Sequence, residues 1–307
     1  GGGSAYDEIK AINPHAKEIL GLRAYPSLTA VREHIDLAVI VVPAPQVLPV
    51  IEDCGKKGVR AAIIISAGFK ESGTEGTKRE RELVRRAGEL GVEFIGPNCF
   101  GVIDTRSRMN ATFSAGVPPE GEVAFFSQSG ALCVAVLDWA AAENIGFSKF
   151  ISIGNKAMLT EVDVLEALAD DPYTRVVMGY LEGVSDGPRF MKAARQVTRK
   201  KPLIIIKAGG TSAGARAAAS HTGTLAGSER IVAPAFKQCG IIRAESMEDI
   251  FNFAKAFAYE PMPAGPSVAI ITNAGGPGIL VADACEKSGL TVPSLQKGTV
   301  DTLRKPV

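Results

Sequence analysis

The feature that most constrains the fold is a repeated alternation of short apolar runs with helix-like stretches. Eight β-branched runs recur, each followed by a turn of Gly, Pro, Ser or Asn and then by a stretch rich in Ala, Leu, Lys and Glu. In order, they are DLAVIVVPAPQ, AAIIISAGF, VEFIGPNCFG, EVAFFSQSGALC, KFISIGNKA, VVMGYLEG, PLIIIKAGGTS and SVAIITNAGGPG. Continuous apolar strands that alternate with helices form parallel sheets covered on both faces. The sequence therefore predicts a doubly wound α/β protein.

Two Pro/Gly-rich breaks divide this rhythm into three units, near Val117 to Glu122 and from Glu260 to Ser267. A length of 307 residues suits two or three domains of about 100–200 residues each. We expect a first unit at residues 1–118, a second at 119–260 and a third at 261–307. The third holds a single strand–loop–helix, which is too little to fold by itself.

The bulk composition excludes several classes of function. With 46% hydrophobic residues, 22% charged residues and a net charge of +1, the chain is typical of globular proteins. The chain has no excess of basic residues of the kind that indicates binding to nucleic acid or to a membrane surface. Its longest apolar runs fall short of the roughly 20 residues of a membrane span. The five scattered cysteines, none of them in CxxC, favour neither disulfides nor zinc, and indicate a reducing cytoplasm.

A possible anion site follows the strand EVAFF. Ligands of open α/β sheets sit beyond the carboxyl ends of the strands, and Ser127, Ser129 and Gly130 lie there at the start of an apolar helix. Hydroxyls and free amides at a helix start bind phosphate or carboxylate, although Ser is also a common N-cap. A serine-hydrolase elbow needs G-x-S-x-G, and the residue two before Ser129 is not Gly, so we set a nucleophilic serine aside.

The stretch ASHTGTLAGS surrounds His221 with small, hydroxyl-bearing and flexible residues. Its glycines, Gly223 and Gly227, allow close backbone approach. We interpret the loop as suited to a ring that carries or touches a phosphoryl group, with a structural histidine as the alternative. A metal site is not favoured, because His15 and His34 stand in other contexts and no carboxylate lies at ligand spacing.

A nucleophilic histidine needs an acceptor on its other ring nitrogen, which fixes the tautomer and stabilises the cation. The best candidate is Glu182, at the end of an apolar strand where an unpaired buried charge would be costly. The alternative for Glu182 is a solvated loop acid. Asn155 and Lys156 lie at the end of another strand, where they are able to contact an anion. The alternative for Lys156 is a solvated side chain. Cys99 is better explained as a small buried thiol than as an acyl-carrying nucleophile.

Taken together, the motifs VVPAP, ISAGF, GPNCFGVI, FFSQSGALCVAVLDWA, GFSKFISIGNKA, DDPYTRVVMGYLEG and SHTGTLAGS closely resemble the NDP-forming acyl-CoA synthetases, which include the ADP-forming acetate–CoA ligases in the succinyl-CoA synthetase superfamily. The resemblance implies a Rossmann-like CoA-binding domain, then a flavodoxin-like ligase domain, then the start of a second ligase-CoA domain. It also implies interconversion of acyl-CoA, ADP and phosphate with a carboxylic acid, CoA and ATP, through an acyl phosphate and a phosphohistidine.

Carried over by residue, the resemblance implies that His221 is phosphorylated and that Glu182 orients it. The implied phosphate contacts are Ser127, Ser129, Gly130, Asn155 and Lys156. The implied coenzyme A contacts are Val42, Pro43, Ala44, Ile65, Ser66, Ala67 and, for a CoA phosphate, Lys17.

Two parts of the family pattern are missing from this sequence. The first strand and its glycine-rich turn do not precede GGGS, and the ATP-grasp domain is absent, so we expect that domain to come from another subunit or from a longer chain. It would bring ADP or ATP with Mg²⁺, and we also expect an oligomer.

A CoA-sensing region of a protein acetyltransferase is the alternative function. A nicotinamide-dependent oxidoreductase is disfavoured because no G-x-G-x-x-G follows a strand. The acid that is activated, and ADP against GDP, are left open.

Overall fold

The computed structural model describes residues 9–114, 116–211, 213–214, 229–261 and 263–304. The described chain divides into two compact units, one that ends at Tyr259 and one that begins at Glu260. Its strands, numbered β1 to β13 in chain order, are Ala11–Ile12, Glu18–Ile19, Leu22–Tyr25, Leu37–Ile40, Ala61–Ile64, Glu93–Ile95, Gly101–Asp104, Met109–Thr112, Glu120–Ser127, Phe147–Ser152, Val176–Leu181, Leu203–Lys207 and Ile242–Arg243. Its α-helices, α1 to α9, are Ala44–Lys57, Thr74–Leu90, Gly130–Ala142, Glu161–Ala169, Gly187–Thr198, Glu229–Gln238, Met247–Tyr259, Gly275–Lys287 and Lys297–Leu303.

The first large element of the fold is a three-stranded parallel sheet in the order β4-β5-β6. Helices α1 and α2 cover it, and each ends at a glycine in the left-handed conformation, Gly58 at φ +83° and Gly91 at φ +69°. Glycine adopts this conformation without the steric cost of a Cβ atom. The core between helices and sheet includes Val47, Ile51, Ile64, Leu83 and Phe94. A small separate sheet has the order β1-β3-β2.

The second large element is a seven-stranded sheet in the order β13-β12-β11-β9-β10-β7-β8. Strands β9 to β13 are all parallel, and in their own numbering this is the 2-1-3-4-5 order of flavodoxin-like folds. The hairpin of β7 and β8 adds two antiparallel strands at one edge, beside β10. The strand order therefore reverses between β9 and β11, which is where such folds place their ligands.

Both faces of this sheet are buried, as its apolar strands predict. Successive side chains of a strand point to opposite faces, so Phe125 and Phe126 of β9 belong to different cores. One core takes in Leu165 of α4 and Phe190 of α5, and the other takes in Val136 of α3 and Phe251 of α7. The prediction of doubly wound, parallel-sheet α/β domains is thus confirmed.

The unit that begins at Glu260 differs from the expected strand–loop–helix. Helices α8 and α9 form, but the apolar stretch SVAIITN contributes only one isolated bridge, between Ser267 and Thr291, in the described part of this unit. A strand is stabilised by neighbouring strands that accept and donate its hydrogen bonds, and among the described residues of this unit no strand pairs with this stretch. Ile271 is accordingly 98% exposed.

The proposed division into three domains, with boundaries at 118/119 and 260/261, stays a prediction, although one strand pairing bears on the first boundary. The hairpin β7–β8 lies before residue 118 in sequence, but it pairs with β10, which belongs to the predicted domain at residues 119–260. Across the ranges described, no helix is both long enough and apolar enough to cross a membrane.

Candidate active site

A cavity of about 700 Å³ opens at the reversal point of the seven-stranded sheet. Its wall combines loops that follow β9, β10 and β11 with loops that follow β5 and β6 of the three-stranded sheet. Strand-end loops and helix N-termini gather there because these strands are parallel within each sheet. The lining residues are Ile65, Ala67, Lys70, Glu71, Asn98, Cys99, Phe100, Phe113, Gln128, Ser129, Gly130, Ala131, Val134, Gly154, Asn155, Lys156, Glu182 and Gly183.

The start of α3 forms one wall of the cavity. Ser129 is its N-cap, and its Oγ accepts a hydrogen bond from the Leu132 N–H over 3.3 Å. Ser127 stands behind this wall: it is fully buried, its Oγ donates to the Ser129 carbonyl over 2.9 Å, and it accepts the Ser129 N–H over 3.0 Å. Ser127 therefore shapes the turn, while Ser129 and Gly130 face the cavity.

Glu182 lies on the opposite side of the reversal point, and its backbone is held by two side chains. Oε1 of Gln128 accepts the N–H groups of Glu182 and Gly183 over 2.5 and 3.0 Å, and Nε2 of Gln128 donates to the Gly183 carbonyl over 2.7 Å. The ammonium of Lys207, at the end of the neighbouring strand β12, donates to the Glu182 carbonyl over 2.7 Å. Burial lowers the pKa of Lys207. These contacts fix the strand end that carries Glu182.

Lys156 brings a buried positive charge to the same cavity. Its ammonium donates to the Glu161 carboxylate over 3.1 Å and to the Gly183 carbonyl over 2.7 Å. Glu161, the first residue of α4, is fully buried. Burial lowers the pKa of Lys156, and the Glu161 carboxylate acts in the opposite direction. A buried lysine needs such a partner, because an unpaired charge in the interior is costly.

Asn155 lines the cavity too, but its amide is engaged by protein groups. Its Nδ2 donates to Glu71 over 2.6 Å and to Glu80 over 2.7 Å, and its Oδ1 accepts from Asn98 over 3.3 Å. Burial raises the pKa of Glu80. Burial would also raise the pKa of Glu71, but hydrogen bonds from Asn155 and from the N–H groups of Phe69 and Gly68 outweigh it, so that pKa is lowered.

The residues expected to bind coenzyme A lie at two adjacent strand ends. Val42, Pro43 and Ala44 follow β4, and residues 65–67 follow β5, which pairs with β4 in parallel. Ser66 joins the two ends, because its Oγ donates to the Val42 carbonyl over 2.5 Å. Of these six residues, Ile65 and Ala67 line the cavity and the other four do not. Lys17 is exposed and precedes β2 in the small sheet.

Comparison with known proteins decides the family. Residues 5–105 match the family described as a CoA binding domain, and residues 120–257 match the succinyl-CoA ligase like flavodoxin domain. The chain is 50% identical over 297 residues to the ADP-forming acetate–CoA ligase I of Archaeoglobus fulgidus, covering 97% of this chain and 43% of the relative. It is 46% identical to the alpha subunit of the ADP-forming acetate–CoA ligase II of Pyrococcus furiosus, covering 97% of this chain and 65% of that subunit.

The chain belongs to the NDP-forming acyl-CoA synthetases. Among solved structures it is similar to an acetyl-coenzyme A synthetase 1 of Ca. Korarchaeum cryptofilum, described as dinucleotide forming and in complex with phosphate and ADP. The TM-score is 0.92 at 45% identity, over 97% of this chain and 64% of that chain. The chain thus spans between two fifths and two thirds of the length of these relatives.

Within this family framework, the cavity gathers five of the predicted phosphate-site and catalytic residues: Ser129, Gly130, Asn155, Lys156 and Glu182. His221 lies outside the described residues. Cys99 is 4% exposed, its Sγ donates to the Ile64 carbonyl over 3.3 Å, and burial raises its pKa to about 12. These features agree with the buried thiol rather than the nucleophile. The described residues hold no cluster of three or more metal-ligating side chains.

Four charged or polar residues in or behind the cavity wall were not singled out from the sequence: Lys70, Glu71, Gln128 and Glu161. Gln128 stands inside the motif SQSG, and a polar residue at a strand end was a usable signal for it. Glu161 is an acidic residue at the first position of α4, and it is fully buried. Lys70 and Glu71 lie in a short 3₁₀ helix that follows β5 of the other sheet, and only the fold brings them to the cavity.

Proposed function

We propose that this chain is the acyl-CoA-binding and phosphate-binding part of an NDP-forming acyl-CoA synthetase. The whole enzyme would interconvert acyl-CoA, ADP and phosphate with a carboxylic acid, CoA and ATP. The observation that carries the proposal is the single cavity in which Glu182, the start of α3 and Lys156 meet the loop after β5. That loop is part of the predicted coenzyme A site, so thioester and phosphate would meet in one place.

In the first proposed step, an oxygen of inorganic phosphate attacks the thioester carbon. The C–S bond breaks, the CoA sulfur leaves with the bonding electrons, and an acyl phosphate forms. Gly130 would present the N–H of a helix start to the phosphate oxygens beside the Ser129 hydroxyl, and Lys156 would add a positive charge. Such groups stabilise charge as it develops in the transition state, because they are already oriented.

In the second step, a neutral ring nitrogen of His221 attacks phosphorus, the bond from phosphorus to the acyl oxygen breaks, and the acid leaves as a carboxylate. Glu182 would accept the N–H of the other ring nitrogen and stabilise the cation. Gln128 and Lys207 support this role, since both fix the backbone of Glu182. Such a carboxylate is effective only if it is held in place before the reaction.

ADP would then remove the phosphoryl group as ATP on an ATP-grasp domain, with Mg²⁺. We propose that this domain lies on a partner subunit or a further part of the chain, since one relative is named an alpha subunit. ADP is the proposed nucleotide because the curated relatives carry the words ADP-forming in their names. We propose a cytoplasmic location and an oligomeric enzyme. A CoA-sensing region of an acetyltransferase is not favoured, because the relatives are ligases.

Phosphohistidine formation tests the proposal. The chain is mixed with the ATP-grasp subunit of a relative and γ-labelled ATP, or incubated with acetyl-CoA and labelled phosphate. We expect an acid-labile, base-stable label on the protein that is absent from His221→Asn and reduced in Glu182→Gln. His34→Asn, at an exposed position, is the control and should label normally. Label that persists in His221→Asn would overturn the proposal.

A further inference from the structure

Asn155 joins the two large sheets at the cavity. It follows β10 of the seven-stranded sheet, while its carboxylate partners Glu71 and Glu80 come from the segment after β5 of the three-stranded sheet. An asparagine side chain has two N–H donors and one oxygen acceptor. Glu71 and Glu80 take the donors, and Asn98 fills the acceptor. Asn155 is 7% exposed, so the amide serves as an internal connection.

Through Glu71, this connection orders the loop that leads away from the predicted coenzyme A site. Oε1 of Glu71 accepts the N–H groups of Gly68 and Phe69 over 2.6 and 3.0 Å, while Oε2 accepts from Asn155. One carboxylate thus ties the loop to the other sheet. The residue between these contacts is Lys70, which lines the cavity.

The backbone of Asn155 holds Lys70 as well. The Lys70 ammonium donates to the Asn155 carbonyl over 2.6 Å, which uses one of its three N–H donors. Because Lys70 lies in the short 3₁₀ helix that follows β5 of the three-stranded sheet, its charge reaches the cavity only while the two sheets keep this spacing. The same network therefore fixes both the loop and the position of the ammonium.

Lys70 lies close enough to Lys156 to affect it. Behind burial and the opposing effect of Glu161, the charge of Lys70 lowers the pKa of Lys156. The carboxylates that face this pair are Glu71, Glu80, Glu161 and Glu182. Two ammonium groups that face one cavity repel each other, and an anion bound between them would offset this repulsion.

We propose that Lys70 binds the phosphoryl oxygens alongside Lys156, and that Asn155 is a positioning residue that holds Lys70 there. The inference rests on the proposed function, because it places phosphate in this cavity. It also gives Asn155 an indirect role, in place of the direct phosphate contact expected from the sequence. The three-stranded sheet would then supply part of the anion site as well as the coenzyme A site.

The test is the affinity of the full chain for inorganic phosphate, measured by calorimetry with and without saturating CoA. The variants are Lys70→Met, Asn155→Ala and the double variant, and Lys78→Met is the control because Lys78 is exposed and paired with Glu75. We expect Lys70→Met and Asn155→Ala each to weaken phosphate binding about tenfold or more, as for the loss of one charged hydrogen bond. The double variant should be no weaker than Lys70→Met alone, because Asn155 acts through Lys70.

The affinity for CoA separates this inference from the proposed function. We expect it to change by less than about twofold in all variants, a smaller change than the loss of one contact. Unchanged phosphate affinity in Lys70→Met, or additive losses in the double variant, would overturn the inference. Failure of the unaltered chain to bind CoA would instead count against the proposed function. If Asn155→Ala does not fold by circular dichroism, Lys70→Met alone decides whether Lys70 binds phosphate.

Discussion

The side chain of Gln128 is hydrogen-bonded to both backbone polar groups of Gly183, donating to its carbonyl over 2.7 Å and accepting its N–H over 3.0 Å. A peptide-like pairing of this kind leaves little rotational freedom to either partner. It links the loops after β9 and β11, the two strands between which the sheet order reverses. The geometry of Glu182, the proposed orienting carboxylate, therefore depends on the side chain of Gln128.

Gln128→Ala should lower both stability and phosphohistidine formation. The change removes three hydrogen bonds, at about 1 kcal/mol each, so we expect the free energy of unfolding to fall by about 2–4 kcal/mol. Urea unfolding measures this value, and labelling of His221 reports the site. Gln46→Ala, at an exposed position of α1, should stay within about 0.5 kcal/mol of the unaltered chain. Equal stability of the two variants would contradict the role of Gln128.

Glu80→Gln should stabilise the chain at pH 8. The folded-state pKa of Glu80 is raised above 4.5, so its contribution to stability is present at low pH and is lost as pH rises through that folded-state value. Glutamine carries no charge, and its side-chain oxygen can still accept from Asn155. The advantage of the variant should disappear below about pH 4.5, where the acid is protonated in both states. Urea unfolding across this pH range checks the prediction.

Burial is the main reason that the pKa of Glu80 is raised; Asn155 and Lys70 act against burial, and the charge of Glu71 raises this pKa further. Glu82→Gln is a matched control on the exposed side of the same helix, and its stability should follow the unaltered chain at every pH. A Glu80→Gln variant that is less stable than the unaltered chain at pH 8 would show that the ionised acid is needed.

Cys99 should not react with thiol reagents in the folded chain. Its pKa of about 12 leaves almost no thiolate at pH 8, and the thiolate is the reactive species. Iodoacetamide followed by mass spectrometry should find the Cys99 peptide modified only after unfolding in urea. Cys99→Ala should lose about 1 kcal/mol of stability and keep phosphohistidine formation. Loss of labelling in a folded Cys99→Ala protein would revive the nucleophile hypothesis.

Gly154→Ala should be strongly destabilising, because the cavity wall is built closely around this position. Gly154 has φ +53°, and an added Cβ atom would lie 2.5 Å from the Pro97 carbonyl oxygen. We expect a loss of about 2–4 kcal/mol in thermal or urea unfolding. Gly88→Ala is the contrasting change, since Gly88 lies inside α2 with no neighbouring atom within 4 Å of an added Cβ. That variant should gain about 0.5–1 kcal/mol. Similar effects at both positions would refute this account.

Sequence patterns located the parts of the site that obey a local rule. Ser129, Gly130 and Glu182 follow apolar strands directly, and strand ends of a parallel sheet meet at one edge. The same rule identified Asn155 as polar and well placed, but it could not show that its amide is occupied. Glu71 and Glu80 lie 84 and 75 residues away from Asn155 in the chain. Contacts over such separations depend on how two sheets are placed, which no local pattern encodes.

The hairpin of β7 and β8 has a consequence for how this architecture can be divided. Its residues precede β9 in the chain, yet they form the outer rim beside β10. A protein divided between Thr112 and Glu120 would lose two strands, β7 and β8, from the seven-stranded sheet. Strand β10 would then be an exposed edge strand that is prone to self-association. A junction between separately expressed or recombined modules must therefore lie upstream of Gly101, so that the hairpin stays with the other strands of the seven-stranded sheet.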